Sequence, residues 1–272
     1  MSQPGQSPQA AAVIEPVLRR RDGVAWYETG GEGWRAAFTT RLGGVSVAPY
    51  ATLNLSLSTD DDPELVLRNR RALAVVLELD AEAFVVPGQV HGTTVAAVGP
   101  AERGRGARDR ADVLRDTDGL LTSTPRLPLV VSTADCVPVV LVAGRPARAV
   151  AAVHAGWRGM LAGIVGEAAR ALGAYGAARA AVIGPSIGPC CFTVSADVGR
   201  AFEERWPGTW RDGRVDLWQA ARRQLAAAGL PAAAIVTSGL CTYHDDRFFS
   251  HRREHGVTGR QAAVVWITGG ET

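Results

Sequence analysis

The 272-residue sequence predicts an α/β fold built as a single domain. Short β-branched segments alternate with segments of helical period along the chain. Two nearly continuous apolar runs near the middle, Leu129–Val142 and Ala147–Val153, read as strands buried on both faces. Neither an internal repeat nor a long linker divides the chain, so one domain accounts for its length.

Taken in order, residues 1–12 are polar and rich in Gln, Pro and Ala, which predicts a disordered N-terminal tail ahead of a domain spanning 13–272. Arg19–Arg21 reads as a solvated surface run. Val24–Phe38 offers two strands around a turn at Thr29-Gly30-Gly31, and Arg41–Ser46 a loop where backbone can approach a ligand. Asp62, Pro63 and Glu64 supply an N-cap, a first-turn proline and a first-turn acid, and Val66, Leu73 and Leu77 follow on one face. A helix over residues 63–79 results. Val95–Val98 is a strand. The charged, glycine-bearing stretch Pro100–Asp112 has no period and reads as an exposed loop. The two apolar runs meet at the turn Gly144-Arg145-Pro146, and the second feeds His154 directly into a segment where Leu161, Ile164, Val165 and Ala168 repeat at helical spacing. A strand at Ala180–Ile183, a glycine-proline loop to Pro189, a helix opened by Asp216 and strands at Ile235–Thr237 and Ala262–Ile267 complete the chain.

The charge balance excludes several functions. A formal net charge of +2 gives no overall attraction for nucleic acid or an anionic membrane. All 29 basic residues are Arg, which removes Schiff-base and lysine general-base chemistry. The N-terminus lacks a basic segment followed by an apolar one, and the best apolar stretch, Leu127–Ala143, is interrupted by Thr133, Asp135 and Pro138. Cytoplasmic residence is the expectation. Cys136, Cys190, Cys191 and Cys241 are too few and too irregular for a disulfide framework, so all four are expected as free thiols.

Three residues at element ends have the chemistry of metal ligands. A catalytic zinc site takes about three donors from His, Cys, Asp or Glu and leaves a position open. His91 stands in Gln89-Val90-His91-Gly92, Cys136 in Thr133-Ala134-Asp135-Cys136, and His154 in His154-Ala155-Gly156-Trp157-Arg158-Gly159. Their spacing matches no short zinc-finger pattern. A buried Cys is ordinarily an apolar filler and a His near a strand end ordinarily just hydrogen-bonded. The residues by themselves leave open a three-ligand site and a Cys136/His154 nucleophile–base pair oriented by Asp135.

Eight segments in order, Thr39–Ser46, Leu53-Asn54-Leu55, Gln89–Gly92, Asp118–Thr122, Thr133–Pro138, His154–Gly159, Gly184–Gly188 and Phe248–Arg253, resemble the YfiH-like (laccase-domain) family. The resemblance implies a layered α/β sandwich of mixed sheets, with zinc held by His91, Cys136 and His154. It implies one of three activities: purine nucleoside phosphorolysis with adenosine deamination, oxidation of polyphenols, or editing of muramyl peptidoglycan precursors. Copper is the less favoured metal. A four-copper oxidase needs many imidazoles, and beyond His91 and His154 only His244, His251 and His255 remain. A blue-copper site would want an axial Met, and Met160 is the one methionine besides Met1. Zinc suits hydrolytic deamination. Phosphorolysis needs an anion pocket, for which Arg41, Arg158 and Arg252 are candidates. Asn54 and Gln89, from matched segments, join them as substrate contacts, and Asp135 is the candidate acid or base. A zinc-dependent purine nucleoside enzyme is the leading expectation and a muramyl-precursor hydrolase the competitor. A binding protein with a purely structural zinc is the third reading, with Cys190 or Cys191 as fourth ligand.

Overall fold

The computed structural model describes residues 15–269, so the expected tail at 1–12 lies outside the described residues. A five-stranded sheet is built from β1 (Val17–Arg21), β2 (Val24–Gly31), β3 (Trp34–Thr39), β6 (Leu129–Thr133) and β13 (Gln261–Ile267), in the order β1-β2-β3-β13-β6. All its pairings are antiparallel. A six-stranded sheet is built from β4 (Val95–Ala97), β5 (Gly119–Thr122), β7 (Val137–Ala143), β8 (Ala149–Ala155), β9 (Ala178–Ile183) and β12 (Ile235–Thr237), in the order β12-β9-β7-β8-β5-β4. Its four central strands are antiparallel and its two outer pairings parallel, so the sheet is mixed.

Side-chain alternation stacks these sheets into layers. Along β7 the even residues Val140 and Val142 join Phe38, Val131 and Val265 in a core between the two sheets. The odd residues Val139 and Leu141 pack instead against α2 (Trp157–Ala162), α3 (Ile164–Leu172), α4 (Ala196–Arg205) and α5 (Leu217–Ala227). A third core lies on the outer face of the five-stranded sheet, where Trp26, Ala37 and Val264 meet Leu73 and Leu77 of α1 (Pro63–Leu77). The order of layers is helix, sheet, sheet, helices. β7 and β8 are covered on both faces, which is why their sequence is apolar at every step.

Several elements differ instructively from the sequence reading. The apolar run Leu129–Val142 is two strands in different sheets, β6 and β7, because Asp135 takes a left-handed φ of 83° and turns the chain from one layer to the other. The helical segment after His154 breaks at Gly163, where φ is 99° and an L-residue would be strained, giving α2 and α3. The β2–β3 hairpin turns at Glu32-Gly33 rather than at Thr29–Gly31, which stay paired in β2. Arg19–Arg21 is exposed, as read, but within edge strand β1. Residues 100–112 contain two short 3-10 turns, and the chain there is held by the buried Arg70, which donates to the carbonyls of Gly106 and Ala107 at 2.7 Å. α4 and the small hairpin of β10 (Trp210–Arg211) and β11 (Arg214–Val215) carry no strong sequence signal. No helix among the described residues is long and apolar enough to cross a membrane.

Candidate metal centre and its cavity

One end of the six-stranded sheet gathers the three candidate ligands. β7 and β8 are antiparallel neighbours with Val137 opposite Ala155 and Pro138 opposite His154. Cys136, just before β7, therefore lies beside the end of β8 that carries His154. The third ligand arrives on a loop. His91 has a φ of 64°, unusual for a residue with a side chain, and this conformation is held from below by Asp118.

Asp118, fully buried at the entry to β5, joins two of the three ligands. Its Oδ1 accepts the amide of His91 at 2.9 Å and Nδ1–H of His154 at 2.8 Å. Its Oδ2 accepts the amides of Gly92 at 2.7 Å and Val90 at 3.1 Å. Burial raises the Asp118 carboxyl, but His154 and these amides outweigh it and hold the group below the usual carboxylate range. A carboxylate can only accept, so Nδ1 of His154 carries the proton and Nε2 is left for the other ligands.

The donors themselves are close. Sγ of Cys136 lies 3.7 Å from Nε2 of His91, the two imidazole rings meet edge to face at 4.9 Å, and one donor atom from each residue falls within 4.8 Å of the others. Burial raises the Cys136 thiol, yet His154 and His91 more than offset this and bring it down to about 6. His154 is pushed down by burial and up by Cys136 and Asp118, reaching about 9. The two shifts share one cause, a thiol and an imidazole that each favour the other's charged form. A divalent cation would satisfy the same thiolate and replace the imidazolium proton, so the donor set fits a borderline metal such as zinc. Packing is tight enough to fix it: a Cβ on Gly156 would fall 2.3 Å from Cδ2 of His91, and one on Gly159 2.5 Å from the carbonyl of Gly92. Both glycines belong to the His154–Gly159 segment, and the closeness of the His91 loop explains why they are glycine.

The ligands sit in the wall of a cavity of about 600 Å³, a size suited to a small organic substrate. Among the described residues five arginines line it, Arg70, Arg110, Arg158, Arg252 and Arg260, against a single carboxylate, Asp135. Arg70 is committed to three backbone carbonyls. Arg158 lies over the Trp157 ring and Arg252 over Phe192, and among the described residues neither is in an ion pair. Thr133 adds a buried hydroxyl to the wall that has no hydrogen-bond partner among the described residues.

Of the residues singled out in the sequence, His91, Cys136, His154, Asp135, Gln89, Arg158 and Arg252 share this cavity. Asp135 accepts from the Thr242 hydroxyl at 2.6 Å and the Arg252 amide at 2.7 Å, while Gln89 makes two bonds of 2.8 Å to the backbone of Ser132. Arg41 and Asn54 stand elsewhere. Arg41 pairs with Glu254 at 2.6 Å and stacks on Phe249, and Asn54 is fully buried among Thr59, Asp61 and the Arg260 amide. Cys190 and Cys191, the offered fourth ligands, gather with Cys241 and His244 in a separate group. Met160 is buried in the helical core with its sulfur 3.3 Å from Nε2 of Gln224. Sequence reasoning missed Asp118 and Arg260. Asp118 opened a matched segment, but nothing in one dimension brings it under His91 and His154.

Residues 35–268 match the family model described as multi-copper polyphenol oxidoreductase laccase. The chain belongs to the YfiH-like laccase-domain family. YlmD of Geobacillus stearothermophilus, named a purine nucleoside phosphorylase, is 38% identical over 92% of this chain and 97% of its own. Rv2149c of Mycobacterium tuberculosis, also named a purine nucleoside phosphorylase, is 39% identical over 86% of this chain and 92% of its own. The crystal structure of YlmD superposes with a TM-score of 0.87 at 37% identity, covering 93% of this chain and all of that one. The Bacillus licheniformis YfiH structure gives 0.84 at 32% identity, covering 92% and 99%. The laccase-domain fold expected from the resemblance is therefore the fold observed. The multi-copper wording fits this chain poorly, since the described residues bring together two imidazoles and a thiol, with His244 in the other group.

Proposed function

We propose that this chain is a zinc-dependent purine nucleoside phosphorylase that also deaminates adenosine, and that inosine and methylthioadenosine are further substrates. The observation that carries the reading is a substrate-sized cavity in which a His91/Cys136/His154 donor set faces an excess of arginine over carboxylate. The names of the relatives point the same way. Phosphate is a dianionic co-substrate, and guanidinium groups bind it through charge-assisted, paired hydrogen bonds.

His91, Cys136 and His154 would hold the zinc, which when bound supplies a Lewis-acid positive charge to the cavity. Asp118 sets the tautomer of His154 and the backbone of His91. Arg158, Arg252 and Arg260 take the phosphate. They orient one of its oxygens toward C1′ of the nucleoside, where the C–O bond forms as the C–N bond breaks. The bond pair leaves with the base, which takes up at a ring nitrogen the proton that the hydrogen phosphate gives up, and the sugar 1-phosphate remains. The unpartnered Thr133 hydroxyl meets substrate, and Ile187 and Phe192 keep an apolar side to the cavity. Asp135 is a positioning residue, since its oxygens tie the Thr242 and Arg252 segments to the cavity floor.

Purified, zinc-loaded protein should release the base from inosine or adenosine only with phosphate present, forming sugar 1-phosphate in equal amount. Base release independent of phosphate refutes phosphorolysis. Cleavage of the amino acid from a muramyl precursor carrying Ser or Gly, with no base release, replaces this reading with peptidoglycan editing.

A further inference from the structure

A second cluster of soft donors lies apart from the first. Cys190 and Cys191 follow the Gly184–Pro189 loop, and Cys241 and His244 lie on the loop after β12, yet one donor atom from each falls within 4.8 Å of the others. The sulfurs of Cys190 and Cys191 are 3.4 Å apart, Cys191 Sγ is 3.1 Å from Nε2 of His244, and Cys190 Sγ is 3.8 Å from its Nδ1. Two sulfurs on one tetrahedral zinc stand about 3.8 Å apart, given Zn–S bonds of about 2.3 Å. The cluster is thus already near the dimensions of a four-ligand site, with all four thiols of the chain free.

Local backbone geometry supports the same use. Cys241 and His244 have the two-residue gap of a chelating turn, closed by the Asp245 amide on the Cys241 carbonyl at 3.0 Å. The Gly188 amide donates to Cys241 Sγ at 3.2 Å, the outer hydrogen bond that a metal-bound thiolate accepts. The two loops also meet as paired backbone, Ser186 with Cys241. No element of the zinc-dependent reaction proposed above uses these residues.

We propose that Cys190, Cys191, Cys241 and His244 form a second, closed metal site for zinc or another thiophilic divalent ion, which staples two loops of the cavity wall together. One loop leads to Phe192, and the other runs on to His251 and Arg252, so the staple sets the position of residues that line the cavity. Four protein ligands leave no open position, which makes this ion structural rather than catalytic.

Metal content decides the matter, independently of any reaction. The reduced full chain, reconstituted with excess zinc in the absence of oxygen and desalted, should carry two zinc ions. Cys136→Ser should carry one, as should Cys241→Ser. With cobalt in place of zinc, the thiolate-to-metal absorbance remaining per cobalt should be larger in Cys136→Ser than in Cys241→Ser, because three sulfurs bind in the former and one in the latter. Should the variants fail to fold, alkylation of the unmodified chain reads the same site: zinc should slow modification of Cys190, Cys191 and Cys241 at least tenfold relative to chelator. A single zinc lost entirely with Cys136→Ser, equal alkylation of those three thiols with and without zinc, or a Cys190–Cys191 disulfide persisting under the reducing conditions would each overturn the proposal.

Discussion

Asp118 shows how much of a site can depend on one side chain that does not line its cavity. Its carboxylate collects three successive loop amides and one imidazole N–H, so the left-handed His91 and the His154 tautomer are fixed by the same two oxygens. Asn is nearly the same size but carries no charge, and its amide end cannot accept. If zinc is held there as proposed, Asp118→Asn should keep the fold while lowering zinc affinity at the His91/Cys136/His154 site by about 10–100-fold, the usual effect of losing a ligand's outer partner. Competition with a chromogenic chelator measures this directly. Unchanged affinity in the folded variant would show that the ligands position themselves. His91, Cys136 and His154 stood out in the sequence because their residue types are those a metal needs. Asp118 did not, because a carboxylate beginning a strand is unremarkable until its neighbours in space are known. The Cys241-Thr242-Tyr243-His244 spacing was visible too, but its partners lie on a loop 50 residues earlier in the chain, which the spacing by itself does not indicate.

At the level of elements, legibility followed burial pattern. α1 was readable because its cap, proline and apolar face are all local: Asp62 accepts from the Glu64 amide and the helix begins at Pro63. β6 and β7 were readable as strands but not as two, since both are apolar throughout and the Ala134-Asp135-Cys136 break carries neither Gly nor Pro. The turn is made by Asp135, whose conformation is secured by Thr242 and Arg252 from more than a hundred residues away. A similar long-range tie connects the loop after β3 to the loop before β13: Arg41 donates to Glu254 at 2.6 Å and to the Ala51 carbonyl at 2.8 Å. Burial raises the Glu254 carboxyl, but Thr258, Arg253 and Arg41 outweigh it and hold it below its ordinary value of 4.5. A carboxyl depressed by folding stabilises the protein fully above its unfolded value, and that contribution disappears as pH falls through the lower folded value. Glu254→Gln should cost about 1.5–3 kcal/mol near pH 7, the range for charge-assisted hydrogen bonds. The gap from the parent should narrow below pH ~4.5 as the parent's own carboxylate is neutralised. Urea unfolding at pH 7, 5 and 3.5 tests the sign, and a gap that widens on acidification would contradict it.

The whole molecule sorts its arginines in a way the sequence could not. With no lysine in the chain, every cationic task falls to Arg, and residue type gives no hint of which task each performs. Arg41 and Arg158 look equivalent in the sequence, both standing in glycine-bearing segments that match the family. Packing separates them, since Arg41 is paired with Glu254 and away from the cavity, while Arg158 lies in the cavity wall over Trp157 with no carboxylate partner among the described residues. If phosphate is bound there, Arg158→Ala removes a charge-assisted contact to that one substrate, worth about 1.5–3 kcal/mol. The KM for phosphate should then rise about tenfold to a hundredfold, with the KM for nucleoside changing far less. Arg41→Ala should do the reverse, lowering the unfolding temperature through the exposed deficit at Glu254 while leaving the phosphate KM near that of the parent. Steady-state kinetics with each substrate varied in turn, alongside thermal melts of both variants, distinguishes the two. Equal increases in phosphate KM for both would mean that the cavity's charge acts as a diffuse field. In that case the phosphate KM of the parent should also climb steeply with added salt, because long-range attraction is screened within about 8 Å at physiological ionic strength whereas a direct guanidinium contact is not.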